Sequence, residues 1–311
     1  MRNTNHQVSH VLGATLVVLI MLLSTTTLHA VSMPTAINIG YYSCVGPNTE
    51  CTVPTAKTTL NIQNMVNSAI AVGNTSAVFT TIRMTFVGYL SVSAPTTTAA
   101  AFPVHISIED AFTNNLIGSG VSFYLLDMRG KLSSGSSIHI KGGSFIEKLA
   151  YAVGLLRVMG SFELGGASTI LVENIVTDNK VRVWEAVDPT VITGGSSVEY
   201  KNCTITSDQL QTFYFGVWTL SGGSSFAVRS CTIQIENPGA DSIFAFAKTV
   251  SITTTSLFEI AGNNLIHTST LTSGIDSVVR FGDNVMVATN AQFRIVNNTI
   301  SMTTKATTLA I

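Results

Sequence analysis

Apolar and polar residues alternate with a period of two in six short stretches of this chain, and the stretches recur. Residues 196–205 (SSVEYKNCTI) return 28 residues on as 224–233 (SSFAVRSCTI), each copy behind a glycine pair, Gly194-Gly195 and Gly222-Gly223. Looser copies begin at Ile138, Ile170, Phe258 and Phe293, so the successive spacings are 32, 28, 28, 32 and 35 residues. Read as strands, the copies place Ile138/Ile140, Ile170/Val172, Val198/Tyr200, Phe226/Val228, Phe258/Ile260 and Phe293/Ile295 on one face. His139/Lys141, Leu171/Glu173, Glu199/Lys201, Ala227/Arg229, Glu259/Ala261 and Arg294/Val296 take the other. Period-two alternation with β-branched and aromatic residues marks half-buried strands, and a repeat of this length marks a solenoid.

The residue after each copy is Gly142, Asn174, Asn202, Ser230, Gly262 or Asn297, types that tolerate a left-handed backbone. Three residues further the column turns apolar again at Phe145, Ile205, Ile233, Leu265 and Ile300, with Thr177 the exception. Strand, bend and second strand therefore repeat. One such strand cannot bury its apolar face alone, but strands stacked in register about 4.8 Å apart form a continuous core. The expected fold is all-β, a single-stranded right-handed parallel β-helix of pectate-lyase-like form. Two more strands, Ile82–Phe86 and Val104–Ile108, raise the expected count of rungs to eight. Further strands are expected at 121–126, 180–184, 212–220, 243–247 and 277–281.

The N-terminus reads differently. Arg2, the apolar run from Val11 to Leu23 and the small residue Ala30 match a secretory signal peptide over residues 1–30. The run is too short to cross a bilayer, which needs about 20 apolar residues. Residues 31–79 form a lead-in, in which Ile62, Met65, Val66, Ala69 and Ile70 follow a helical period. A short N-terminal helical cap is expected there, because an open stack of unpaired strand invites aggregation. The repeats are expected over 80–311, with a C-terminal end uncapped or truncated. Secretion or a cell-surface location follows from the signal, and membrane association would require an anchor not seen in this chain.

Charge narrows the function classes. Only 11% of residues are charged and the formal net charge is −1, so no nucleic-acid footprint and no polybasic membrane patch is present. Four cysteines in an exported chain favour disulfides. Cys44 and Cys51 flank a loop containing Gly46, Pro47 and Asn48; Cys203 and Cys231 share one repeat position, where they form either a cross-rung bond or a ladder of small buried residues. N-x-[ST] acceptors stand at Asn74, Asn202 and Asn297. For the latter two a competing reading is an asparagine stack inside the solenoid. No CxxC motif or clustered histidine points to a metal, and no cofactor is expected.

The outer face of the repeated strand carries Lys141, Glu173, Lys201 and Arg229 in one column, with Glu173 between the two lysines. Opposite charges on neighbouring strands add modest stability, and the same column is a candidate ligand face. Cleavage of acidic polysaccharide, a common use of β-helices, needs paired acidic groups or a calcium cluster with a base. The nearest local set is Asp276 and Arg280, separated by Val278 and read as a surface ion pair; Asp188 and Asp241 stand alone.

The S-S-φ-x-φ-x-[NS]-C-T-I repeat (φ apolar) behind a signal peptide, with abundant Ser, Thr and Gly, resembles the dispersed gene family of kinetoplastid trypanosomes. Residues 80–311 carry the likeness. The resemblance implies a β-helical surface protein used in adhesion, and no catalytic residues; the chain departs from it in lacking C-terminal transmembrane helices. The resulting expectation is a non-catalytic cell-surface or secreted protein whose partners are glycans or surface proteins of another cell. The alternative is a polysaccharide lyase or glycoside hydrolase of the β-helix class.

Overall fold

The computed structural model describes residues 77–82, 85–86, 90–93, 103–113, 123–146, 153–178, 181–208, 211–236, 242–269, 275–282, 284–303 and 308–310. Over them the chain winds as a parallel β-helix with three sheets, two of eight strands and one of twelve. Each turn supplies a strand to the first sheet, bends, supplies one to the second, and crosses the third as one long strand or two short ones. In the first sheet Ile138, Ile170, Val198, Phe226, Phe258 and Phe293 align across successive strands, the register expected from the repeats. The first strand differs from expectation. Rather than Ile82–Phe86, the chain forms Ala77–Ile82 and Thr85–Phe86, and the former pairs with Val104–Glu109. Repeat structure thus begins before residue 80. The stretches expected to form a signal peptide and a helical cap lie outside the described residues.

The turn columns explain how the chain closes each rung. Asp110, Gly142, Asn174, Asn202, Ser230, Gly262 and Asn297 all take positive φ, between 48° and 65°. At the other corner Gly194, Gly195, Gly222 and Gly223 do the same. A Cβ on Gly222 would sit 2.8 Å from the Gly194 nitrogen of the rung below, so the glycine that precedes the repeat is sterically required. One rung on, Thr254 and Thr255 hold the left-handed conformation despite their β-branched side chains, at φ 50° and 56°.

Stacking at strand spacing turns the apolar face into columns of rings. Phe226, Phe258 and Phe293 stack with centroids 5.2 and 5.0 Å apart and planes within 5°. Phe215, Phe246 and Phe281 form a parallel column at 4.8 and 5.3 Å. Trp184 meets Phe226 edge-on between the columns. Such pairs add about 0.5–1.5 kcal/mol each beyond the area they bury. Tyr200 lies in the same core, donating its hydroxyl to the Val183 carbonyl at 3.2 Å. Burial pushes its phenol pKa well above the ordinary value, with Cys203 and Cys231 adding to the shift.

Two buried polar ladders run beside the aromatic columns. At the corner before the first sheet, Ser136, Ser168, Ser196 and Ser224 each accept the backbone N–H of the rung below, at 3.1–3.2 Å. The Ser136 and Ser168 hydroxyls donate in turn to carbonyls within their own turns. At the next bend the ladder is Cys203, Cys231, Asn263 and Asn298. Cys203 N–H donates to Cys231 Sγ at 3.3 Å, Cys231 N–H to Asn263 Oδ1 at 2.8 Å, and Asn263 N–H to Asn298 Oδ1 at 2.9 Å. Both asparagines also donate back to carbonyls of the preceding rung, Val228 and Ile260. These bonds satisfy corner amides that the sheets cannot reach.

The last rung departs from the expected core. Val198, Tyr200, Phe226, Val228, Phe258 and Ile260 are fully buried, whereas Phe293 is half-buried and Ile295 is 44% exposed. Ile300, in the second sheet, is 41% exposed. Among the described residues, Gln292–Val296 and Thr299–Thr303 end their sheets with one strand neighbour each, so their inward side chains are covered from one side only.

Candidate functional site

Two outer surfaces gather charge. The first is the outer face of the first sheet. Its register sets Glu173 opposite both Lys141 and Lys201, as the repeats imply. The ion pairs run otherwise. Glu173 accepts from His139 Nε2 at 3.0 Å, across to the neighbouring column, while Lys141 and Lys201 stand exposed and make no ion pair among the described residues. Arg229 also turns sideways: it reaches Glu199 at 2.8 Å and Glu259 at 2.7 Å. Glu259 reaches Arg294 at 3.4 Å, closing a chain of four charges over four rungs. Burial lowers the Arg229 pKa, but the hydrogen bonds to Glu259 and Glu199 outweigh it and hold the guanidinium above its ordinary value. Of the four residues proposed as a ligand face, Lys141 and Lys201 therefore present their charge outward, and Glu173 and Arg229 spend theirs on neighbours. The reason is reach: a long side chain spans the roughly 7–8 Å to a diagonal neighbour, and the residues directly opposite Arg229 are Lys201 and Ala261, neither of which is an anion.

The second surface is the outer face of the third sheet. Asp127, Arg157, Glu185 and Tyr214 fall in one column on four successive rungs. Alternation assigns them outward, since the intervening column of Leu126, Leu156, Trp184 and Phe213 is the core. Outward or not, Asp127 is 1% exposed and Glu185 7%. Asp127 Oδ2 receives Arg129 at 3.3 Å and Arg157 at 3.4 Å, while Oδ1 is buried without a hydrogen-bond partner. Arg182 pairs with Glu185 and lies 5.7 Å over the Tyr214 ring. Sequence reasoning missed this group. The available signal was the repeat period itself: Asp127 and Arg157 are 30 residues apart, inside the spread of the first-sheet copies.

The remaining candidates separate cleanly. Asn202 and Asn297 are exposed at their bends, not stacked inside; the left-handed φ turns their side chains out, and the inward stack belongs to Asn263 and Asn298 one residue later. Cys203 and Cys231 are buried free thiols in that same ladder, without a bond between them. Asp276 is fully buried and Arg280 exposed, so the aspartate does not lie at the surface as expected; Val278 between them is buried as well. Asp188, expected to stand alone, receives the Gly160 amide at 2.6 Å. Asn74, Cys44, Cys51 and Asp241 lie outside the described residues. Comparison of the chain with family models, curated proteins and solved structures gives no match.

Proposed function

We propose that this protein is a non-catalytic solenoid, secreted or held at the cell surface, that presents the outer face of its first sheet to anionic glycans or to surface proteins of another cell. The observation that carries this reading is the contrast across one sheet. In unbroken register, the outer column changes chemistry at every rung (His139, Leu171, Glu199, Ala227, Glu259, Arg294) while the inner column stays apolar. A solenoid face of that kind varies without touching its core. Lys141 and Lys201, exposed and not ion-paired among the described residues, are the cations that meet a sulfated or carboxylated sugar. Exposed Asn202 and Asn297 are then surface glycan acceptors, and the resemblance to trypanosome surface proteins belongs to the same proposal. The test is binding of the full chain to immobilised heparan sulfate, chondroitin sulfate and neutral glycans. Lys141→Ser with Lys201→Ser should weaken attachment to the sulfated glycans several-fold at unchanged melting temperature. Unchanged attachment would move the site off this face.

A second reading rests on the buried carboxylates of the third sheet. Asp127 and Glu185 lie two rungs apart with Arg157 between them, about 9.6 Å at the backbone, just beyond the roughly 6.5–9.5 Å that separates the carboxyl groups of inverting glycosidases. Under it Asp127 and Glu185 are the acid and base of a polysaccharide hydrolase. Turnover of any acidic polysaccharide that is lost in both Asp127→Asn and Glu185→Gln would establish this reading and overturn the first.

A further inference from the structure

The corner ladder poses a chemical question. Each of its positions needs a side chain that accepts the N–H of the rung below and donates to a nearby carbonyl. Asn263 and Asn298 do both with an amide, at 2.8–2.9 Å. Cys203 and Cys231 fill the same role with thiols: Cys231 Sγ accepts at 3.3 Å, and the sulfurs lie 3.3 Å from the Lys201 carbonyl and 3.2 Å from that of Arg229. Thiols are weak donors and weak acceptors, so two in succession give up hydrogen-bond strength that asparagine would supply. What a stacked cysteine pair adds is the capacity to join covalently.

The register permits it. Lys201 pairs with Arg229 and Thr204 with Thr232, so the two cysteines between them stand opposite one another on adjacent rungs. Parallel neighbours in register are about 4.8 Å apart, within the roughly 4.4–6.8 Å Cα separation of disulfides. We propose that Cys203 and Cys231 form a reversible cross-rung disulfide, a redox staple that locks two adjacent turns of the solenoid. The Cys203 N–H already reaches the Cys231 sulfur at 3.3 Å, and the contact between the two side chains lowers the pKa of one thiol and, together with burial, raises that of the other. Either thiol serves as the first nucleophile, Cys203 for instance. Its thiolate attacks a disulfide oxidant of the glutathione class and releases one thiolate, which takes up a proton. Cys231 then loses its proton and attacks the Cys203 sulfur of the mixed disulfide, releasing the second. Two protein thiols are oxidised to one disulfide and the oxidant is reduced to two thiols. Both sulfur-bearing residues are at most 2% exposed, so exchange takes place as the chain folds or while the bend is open, and the closed staple is shielded. This inference does not depend on the glycan reading.

Trypsin suits the test. Cleavage after Lys201, Arg229 and Lys248 puts Cys203 in peptide 202–229 and Cys231 in peptide 230–248, both away from Cys44 and Cys51. The full chain is incubated with glutathione disulfide, its remaining thiols are alkylated in denaturant, and the deglycosylated protein is digested without reductant. The expected product is a linked pair of these peptides, lighter than their sum by two hydrogen atoms and separated by dithiothreitol. Recovery of both peptides as alkylated thiols would overturn the proposal. A second readout is the denaturation midpoint, which dithiothreitol should lower in the wild-type chain. The Cys203→Asn/Cys231→Asn variant extends the asparagine ladder already present, so it should fold and show a smaller drop. An equal drop in wild type and variant would assign the sensitivity to other cysteines and contradict the staple.

Discussion

The strands Ser225–Arg229 and Gln292–Val296 have nearly the same pattern and very different surroundings. In each, an aromatic residue and a β-branched residue two positions on face inward, Phe226 with Val228 and Phe293 with Ile295. Phe226 and Val228 are fully buried; Ile295 is 44% exposed and Phe293 half-buried. The inward face of a rung is made hydrophobic by its own sequence, but it is dried by its neighbours. A solenoid is therefore stabilised as a sum of interfaces, and the middle rungs, with two interfaces each, should carry more than the last.

Matched substitutions sharpen that difference. Val228→Asp places an unpaired carboxylate in a dry column and should cost more than about 4 kcal/mol, while Ile295→Asp, open to water, should cost under about 1 kcal/mol. Chemical denaturation of the two variants measures both, and comparable losses would mean that the rungs do not differ. The corner ladder gives a smaller contrast. Asn263→Ala strands the buried Cys231 amide and the Val228 carbonyl, a loss of about 2–6 kcal/mol at about 1–3 per orphaned group. Asn298→Ala exposes the equivalent groups nearer to solvent and should cost about 1 kcal/mol. The outer face yields least. Arg229→Met breaks a half-exposed network and should cost about 0.5–1 kcal/mol, less still at high salt. A loss insensitive to salt would assign the effect to packing of the arginine stem instead.

Much of this architecture is written locally. The inward columns follow from period-two alternation, and the bends from residues such as Asn174 and Asn202 that accept positive φ, both of which are properties of a few adjacent residues. The ladder was harder to see. Asn202 and Asn297 stand out in the sequence as heads of glycosylation sequons, yet a left-handed residue throws its side chain outward and the next one, Cys203 or Asn298, turns in. The ion pairs of Arg229 were invisible for a related reason, since a repeat alignment specifies the residue opposite but not the diagonal a flexible side chain prefers. The column of Asp127, Arg157 and Glu185 was missed because third-sheet strands change length between turns. Val153–Leu164 crosses in one piece, whereas the next turn splits into Val181–Ala186 and Thr190–Ile192, so no constant motif marks the register.

Native-state hydrogen exchange along the first sheet tests the central claim, that burial and stability come from stacked neighbours, most directly. Backbone amides in Ser197–Lys201 and Ser225–Arg229 should exchange slowest, at rates set by opening of several rungs, and protection should fall through Leu257–Ala261 to a minimum in Gln292–Val296. Uniform protection along the sheet, or a middle that exchanges faster than the last strand, would contradict the account.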